Sequence, residues 1–387
     1  MHTDTILLKP DETLPDTMLL VGEPILGEDE KAALTAVIDS GWITMGARVR
    51  AFEEAFAREH NVADAVAVNS CTAALHLIMR AFGIGPGDEV LVPSLTFIAT
   101  VNSVLYAGAR PVFVDIESAE TPILSMADAD RKITANTKAV VVMHYGGYLA
   151  DAEAWTEFAR SRGLYLIEDS AHAVGAARGP IYGDAAAFSF FGNKNMTTAE
   201  GGMITARDAD ALDWMRQARG HGMTKGTTQR LRDGSISYDV TMLGYNYRMD
   251  ELRAAIGLVQ LSKLGDWIVK RTILAELYRN LLSQFCPSVL MPFEAWPTST
   301  HHILPVVLPL DVSRGEIADA LRARRIQTTN HYPPAHLFSW HGKMWPMIRL
   351  PRTEDFAARE LTLPLHPGLR EEDVRYVVRT LAGILDR

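Results

Sequence analysis

Seven short runs of apolar and β-branched residues punctuate this chain: AVAVNS (65–70), EVLVPS (89–94), RPVFVDI (110–116), KAVVVMHYGG (138–147), YLIEDS (165–170), AAAFSFF (185–191) and GGMITAR (201–207). Most are nearly continuous in apolar character rather than alternating, as expected of strands covered on both faces. Several are separated by helix-compatible stretches such as TAALHLIMRAFG and LADAEAWTEFARSRG. Strand and helix in alternation specify an α/β fold with a mostly parallel sheet between helices. The last two runs are nine residues apart. A parallel crossover needs about a dozen residues, so that pair is expected to be antiparallel.

Beyond the strands, residues 249–282 read as one long helix, followed by a Pro-, Ser- and Thr-rich break at CPSVLMPFEAWPTST. HHILPVVLPL, EIADALRARRI and EEDVRYVVRTLAGIL then read as strand, helix and helix. The expected organisation is a tail over 1–20, a large domain over 21–282 that includes the long helix, and a small C-terminal α+β domain over 283–387. A net charge of −9 argues against a nucleic-acid-binding surface. Two cysteines, Cys71 and Cys286, make neither a disulfide framework nor a Cys-rich metal site, and no metal is expected. The N-terminus lacks the basic start of a signal peptide, and no apolar run approaches the roughly 18 residues of a membrane span. The expectation is a cytoplasmic protein with no membrane partner.

Four features fall at the C-terminal ends of expected strands, where open α/β sheets hold their ligands. In VNSCTAALHL a helix opens at Thr72; its free N–H groups and hydroxyl make an anion site, although a plain N-cap has the same signature. In LIEDSAHAVGA, Asp169 ends a strand and His172 follows; a carboxylate there can pair with a cationic ring nitrogen, but taken alone the pair reads as a cap with a core histidine. Phe97 in PSLTFIAT can stack on a flat ring or simply pack in the core. Lys194, in SFFGNKNMTTAEGG, shares a strand end with Ser189. Taken singly, a lysine there is a surface residue. Taken together, an anion site, a carboxylate, an aromatic face and a lysine are the parts that bind pyridoxal phosphate. The lysine forms the Schiff base, the carboxylate keeps the pyridine nitrogen protonated, and the helix start holds the phosphate. A lysine desolvated in such a site loses basicity and becomes a usable nucleophile and base.

The motifs SGWITMG, VNSCTAALHL, PSLTFIAT, FVDI, IEDSAHAVGA, AFSFFGNKNMTTAEGGM, RGHGM and GYNYRMDELRAA, in that order, resemble those of the DegT/DnrJ/EryC1/StrS sugar aminotransferases, in a perosamine-synthase-like branch. The resemblance implies the type I (aspartate) aminotransferase fold and a pyridoxal-phosphate-dependent transaminase. By resemblance, Lys194 carries the cofactor, Asp169 faces the pyridine nitrogen and His172 lies near the ring 3-hydroxyl. Thr72, Ala73 and Ser189 hold the phosphate, and Phe97 stacks on the ring. Asn246 reaches the phosphate in the neighbouring subunit, so a homodimer with shared sites is implied. Two positions depart from the family pattern: Cys71 stands where glycine is frequent, and Ala199 replaces the glycine of TTGEGG. Relatives with histidine at the lysine position catalyse dehydration; Lys194 favours transamination.

The implied reaction takes an amino group from L-glutamate, through the pyridoxamine 5'-phosphate form, to a nucleotide-linked 4-keto-6-deoxy sugar. A diphosphate needs cations, and RGHGMTKGTTQRLR supplies Arg219, Lys225, Arg230 and Arg232 with no acidic residue. TTNHYPPAH offers Tyr332 and His336 toward the sugar. A 3-keto sugar nucleotide or a keto-cyclitol is an alternative acceptor. A non-catalytic, cofactor-binding regulatory protein is an alternative of another class, against which the intact Lys194, Asp169 and His172 argue.

Overall fold

The computed structural model describes residues 14–176, 182–226, 230, 234 and 236–386. All seven runs are strands: β1 Val66–Val68, β2 Glu89–Pro93, β3 Arg110–Val114, β4 Thr137–Met143, β5 Tyr165–Asp169, β6 Ala185–Ser189 and β7 Gly202–Ala206. They form one sheet in the order β1-β7-β6-β5-β4-β2-β3. Strands β3, β2, β4, β5 and β6 are parallel to one another, whereas β7 runs antiparallel to both β6 and β1. The short β6–β7 connection thus has the direction its length demands.

Every residue of β2 and β6 is buried, which accounts for their unbroken apolar sequences. The helix Cys71–Ala81 covers one face, burying Ala74, Leu75, Leu77 and Ile78. On the other face Trp155 and Phe158 of the helix Ala152–Arg162 pack with Leu91, Val140 and Leu166. The long helix expected over 249–282 runs Glu251–Phe285, capped by Asp250, whose carboxylate accepts the Arg253 N–H. Its later turns place Leu274, Tyr278 and Leu282 in a second apolar cluster with Leu304, Val306, Leu361 and Leu363. Those residues belong to a two-stranded antiparallel sheet, β8 Leu304–Val307 and β9 Glu360–Leu363. Strand β9 follows the helix Pro351–Arg359 directly, so no turn residue announces it in the sequence. Among the described residues no helix is long and apolar enough to cross a membrane.

Candidate active site

Strand register brings the chemistry to one end of the sheet. Asp169 pairs with Met143 on one side and Ala187 on the other, Ser189 pairs with Gly202, and Gly202 pairs with Val68. The ends of β5 and β6, the start of β7 and the helix opening at Cys71 are therefore neighbours.

Asp169 is buried; its carboxylate accepts the Ala171 N–H at 3.1 Å and the Thr100 hydroxyl at 2.5 Å. These donors fix its orientation. His172 is also buried. Its Nδ1 accepts the Gly146 N–H at 3.2 Å, so the neutral ring carries its proton on Nε2, 2.7 Å from the Tyr332 hydroxyl. Burial, reinforced by the Lys194 charge, pushes the imidazole well below its ordinary pKa.

Lys194 follows β6 in a turn closed by its N–H on Phe191 O. It is half-buried, and desolvation pushes its pKa down to about 8 against the pull of Cys71 and Asp169. The thiol of Cys71 is itself pushed well above its ordinary pKa by burial and by Asp169. The glycine pair after the lysine has a steric cause. A Cβ on Gly202 would lie 2.6–2.7 Å from backbone atoms of Ser70 and Cys71, so only glycine lets β7 touch the start of that helix. At that start Ser70 Oγ accepts the Ala73 N–H at 3.1 Å. Ala73 thus already has a partner, while the N–H groups of Cys71 and Thr72 fall in the first turn, where no intrahelical carbonyl reaches them. Ser189 is buried at the end of β6. Phe97 precedes the helix Ile98–Tyr106; the residue is 56% exposed and its ring lies 6.1 Å from that of Tyr332. The half-buried lysine of low basicity, the buried carboxylate and the helix start form a donor set that fits pyridoxal phosphate.

Tyr332 therefore lies in the site, bonded to His172. Two other substrate candidates are corrected. Arg219 is buried at 5% exposure and bonds the Glu53 carboxylate and Ala67 O, which makes it a core ion pair rather than a free cation. His336 is also enclosed: Nδ1 lies 2.7 Å from Ser94 Oγ and Nε2 3.1 Å from Glu354 Oε1, so both ring nitrogens already have partners. Lys225 is half-buried, and Arg230 holds its guanidinium 4.6 Å from the Tyr238 ring centroid. Arg232 lies outside the described residues. Asn246 is exposed, its backbone bridged to Gly220 and its carbonyl accepting from Asn69 Nδ2 at 3.3 Å.

Sequence reasoning missed several neighbours. Thr100, in the first turn of the helix Ile98–Tyr106, shares a hydroxyl contact with Thr96 just before it, and nothing in that local spacing names Asp169 as its partner. Asn195 donates to Thr300 O and faces His302 Nδ1 at 3.0 Å, and the His302 ring lies 4.4 Å from that of His172. The Thr300 hydroxyl donates to His172 O at 2.6 Å. Of the two departures from the motif pattern, Ala199 adopts φ +67°, the left-handed conformation that glycine holds without strain.

The spore coat polysaccharide biosynthesis protein SpsC of Bacillus subtilis (strain 168) is 38% identical to this chain over 376 residues, covering 94% of this chain and 96% of its own length. The crystal structure of the aminotransferase TlmJ from Streptoalloteichus hindustanus superimposes with a TM-score of 0.87 at 36% identity, covering 95% of this chain and 99% of that one. The putative sugar aminotransferase Spr1654 from Streptococcus pneumoniae, solved in PLP and PMP forms, gives a TM-score of 0.88 at 27% identity, with 95% and 99% covered. With the family's pattern matched over residues 24–382, the chain belongs to the DegT/DnrJ/EryC1/StrS aminotransferase family.

Proposed function

We propose that this chain moves an amino group from L-glutamate to a nucleotide-linked 4-keto-6-deoxy sugar, giving a 4-amino sugar, as a homodimer that shares its two active sites. It is an aminotransferase with pyridoxal 5'-phosphate as cofactor. The observation that carries the reading is Lys194, half-buried and of lowered basicity beside the buried Asp169. When bound, the cofactor would supply an electron sink in its pyridine ring.

The chain's own residues do the rest. The start of the helix Cys71–Ala81 and Ser189 receive the phosphate. Asp169, oriented by Thr100 and Ala171, holds a proton on the pyridine nitrogen. His172, fixed by Gly146 and Tyr332, presents a neutral imidazole beside the ring. The Lys194 amine takes and returns the migrating proton at Nζ, and a pKa near 8 leaves a useful fraction unprotonated near neutrality. Phe97, with its side chain open beside Tyr332, would stack on the cofactor ring.

A sugar acceptor is supported by the likeness to SpsC, a spore coat polysaccharide biosynthesis protein, and to the sugar aminotransferase Spr1654. The nucleotide and the 4-keto position rest on the motif resemblance. The shared dimer is supported by large apolar side chains left exposed in the segment that leads to Asn246: Ile236 at 98% exposure and Leu243 at 79%, with Tyr238 and Val240 also exposed. The test is to convert the enzyme to its pyridoxamine form with glutamate. A nucleotide-linked 4-keto-6-deoxy sugar, its 3-keto isomer and a keto-inositol are then offered in turn. Only the first is expected to consume that form's absorbance, with product NMR placing the amine on C4. An amine on C3 or on an inositol ring overturns the substrate assignment, and no turnover with any of the three overturns the sugar reading.

A further inference from the structure

The segment that carries Tyr332 also carries a buried chain of exchangeable protons. His331 Nδ1 lies 2.9 Å from the Thr362 hydroxyl, and that hydroxyl lies 2.5 Å from Oε1 of Glu360. The other carboxyl oxygen accepts the His331 N–H at 2.9 Å. Glu360 and Thr362 are both fully buried, alternate residues on β9, so they point to one face of that strand. No described residue bonds Nε2 of His331. The ring stands edge-on to His172 at 6.3 Å and feels the Lys194 charge.

We propose that Glu360, Thr362 and His331 form a proton relay in which the protonation of Glu360 decides which ring nitrogen of His331 carries hydrogen. The relay thereby decides whether the site offers the amino acceptor an N–H donor or a lone pair. With Glu360 protonated, its O–H donates to Thr362, Thr362 donates to Nδ1, and the imidazole proton sits on Nε2. When the relay ionises, Glu360 passes its proton to Thr362 and Thr362 passes its own to Nδ1. Nε2 then releases one proton into the site. One proton leaves, one negative charge remains on Glu360, and His331 stays neutral throughout.

The surroundings favour this cycle. Burial pushes Glu360 up to about 8, with Thr362, the His331 N–H and the Arg314 charge pulling the other way. Arg314, on the helix Arg314–Ala323, directs Nη1 to the backbone oxygens of Ala357 and Glu360, so it does not neutralise the carboxylate by direct contact. Tyr145, after β4, donates to His331 O, and it and Tyr332 are themselves pushed well up. His331 is pushed down to about 3 by burial and Lys194, so it remains a neutral ring across the working range. Near neutral pH the relay thus presents an N–H at Nε2, matched to an oxygen of the acceptor.

The acceptor half of this inference rests on the keto-sugar reading; the relay itself does not. Nitrogen-15 spectra of histidine-labelled holoenzyme read the tautomer without any sugar. The His331 signal is expected to change from Nε2–H to Nδ1–H as pH rises through about 8. Glu360→Gln, which mimics the neutral acid, is expected to hold Nε2–H at every pH, and Thr362→Val to abolish the switch while Thr362→Ser restores it. A His331 tautomer that does not respond to pH or to Thr362→Val overturns the relay. In turnover, KM for the amino acceptor is expected to rise about tenfold above the transition, the worth of one hydrogen bond. Adding Thr362→Val to His331→Ala should cost nothing further, since Thr362 acts through His331. A switch seen by NMR with additive losses in KM removes the acceptor role, whereas a switch with no sugar turned over removes the substrate reading alone.

Discussion

At the residue scale the site depends on two opposite treatments of charge. Asp169 is kept usable by the Thr100 hydroxyl and the Ala171 N–H, while Lys194 is stripped of water and loses basicity. Asp169→Asn is expected to keep the cofactor yet lower turnover at least a hundredfold, because a neutral amide cannot hold the pyridine nitrogen protonated. Spectra and glutamate half-reaction rates measure both parts. Near-normal turnover would reduce Asp169 to a structural group. Borohydride reduction should fix the cofactor on the peptide containing Lys194. In the apoenzyme, amine labelling of Lys194 should rise as pH passes about 8. An ordinary lysine waits until about 10.4. The sign follows from burial, which disfavours the ammonium; labelling that tracks the bulk lysines would contradict it.

At the element scale, the strand-to-helix junctions carry the strain and the fit. Gly202 lets β7 run against the Ser70–Cys71 peptide. Gly202→Ala is expected to displace the start of that helix, costing about 1–3 kcal/mol of stability and at least tenfold in cofactor affinity. Thermal unfolding and cofactor titration read the two separately. A few residues earlier, Ala199 holds φ +67° in the turn between β6 and β7. Ala199→Gly is expected to stabilise the protein by about 1 kcal/mol, since the left-handed conformation costs an alanine about that much. Arg219 makes the contrast between a motif and its role. Because it bonds Glu53 and Ala67 O in the core, Arg219→Met should cost about 1–2 kcal/mol, the Glu53 carboxylate keeping Arg216 and the Ala67 N–H as partners. KM for the amino acceptor should not move with it; a selective rise in KM would return Arg219 to the substrate.

At the scale of the whole molecule, the proposed dimer is testable by complementation. Lys194→Ala and Asn246→Asp subunits, each inactive alone, should recover activity on mixing, because one site in the mixed dimer has both its lysine and its partner's asparagine intact. A fully active monomer in sedimentation would sink the shared-site reading. The sheet was legible because its cause is local: seven apolar runs, each bounded by turn residues, and a β6–β7 link too short for a parallel crossover. The positions of Asp169, Lys194 and Ser189 followed, since strand ends carry ligands in such sheets and strand ends are visible in sequence. What the sequence alone could not decide was partnership. Thr100 meets Asp169 across 69 positions, His331 meets the Glu360 carboxylate across 29, and Arg219 meets Glu53 across 166. A side chain's type shows what it can bond. Whether a cation or an imidazole stays free for substrate depends on which groups packing delivers to it, and burial then makes those pairings binding, because an unpaired polar group away from water is costly. Arg219 and His336 read as substrate contacts on residue type and became structural once the fold supplied Glu53, Ser94 and Glu354.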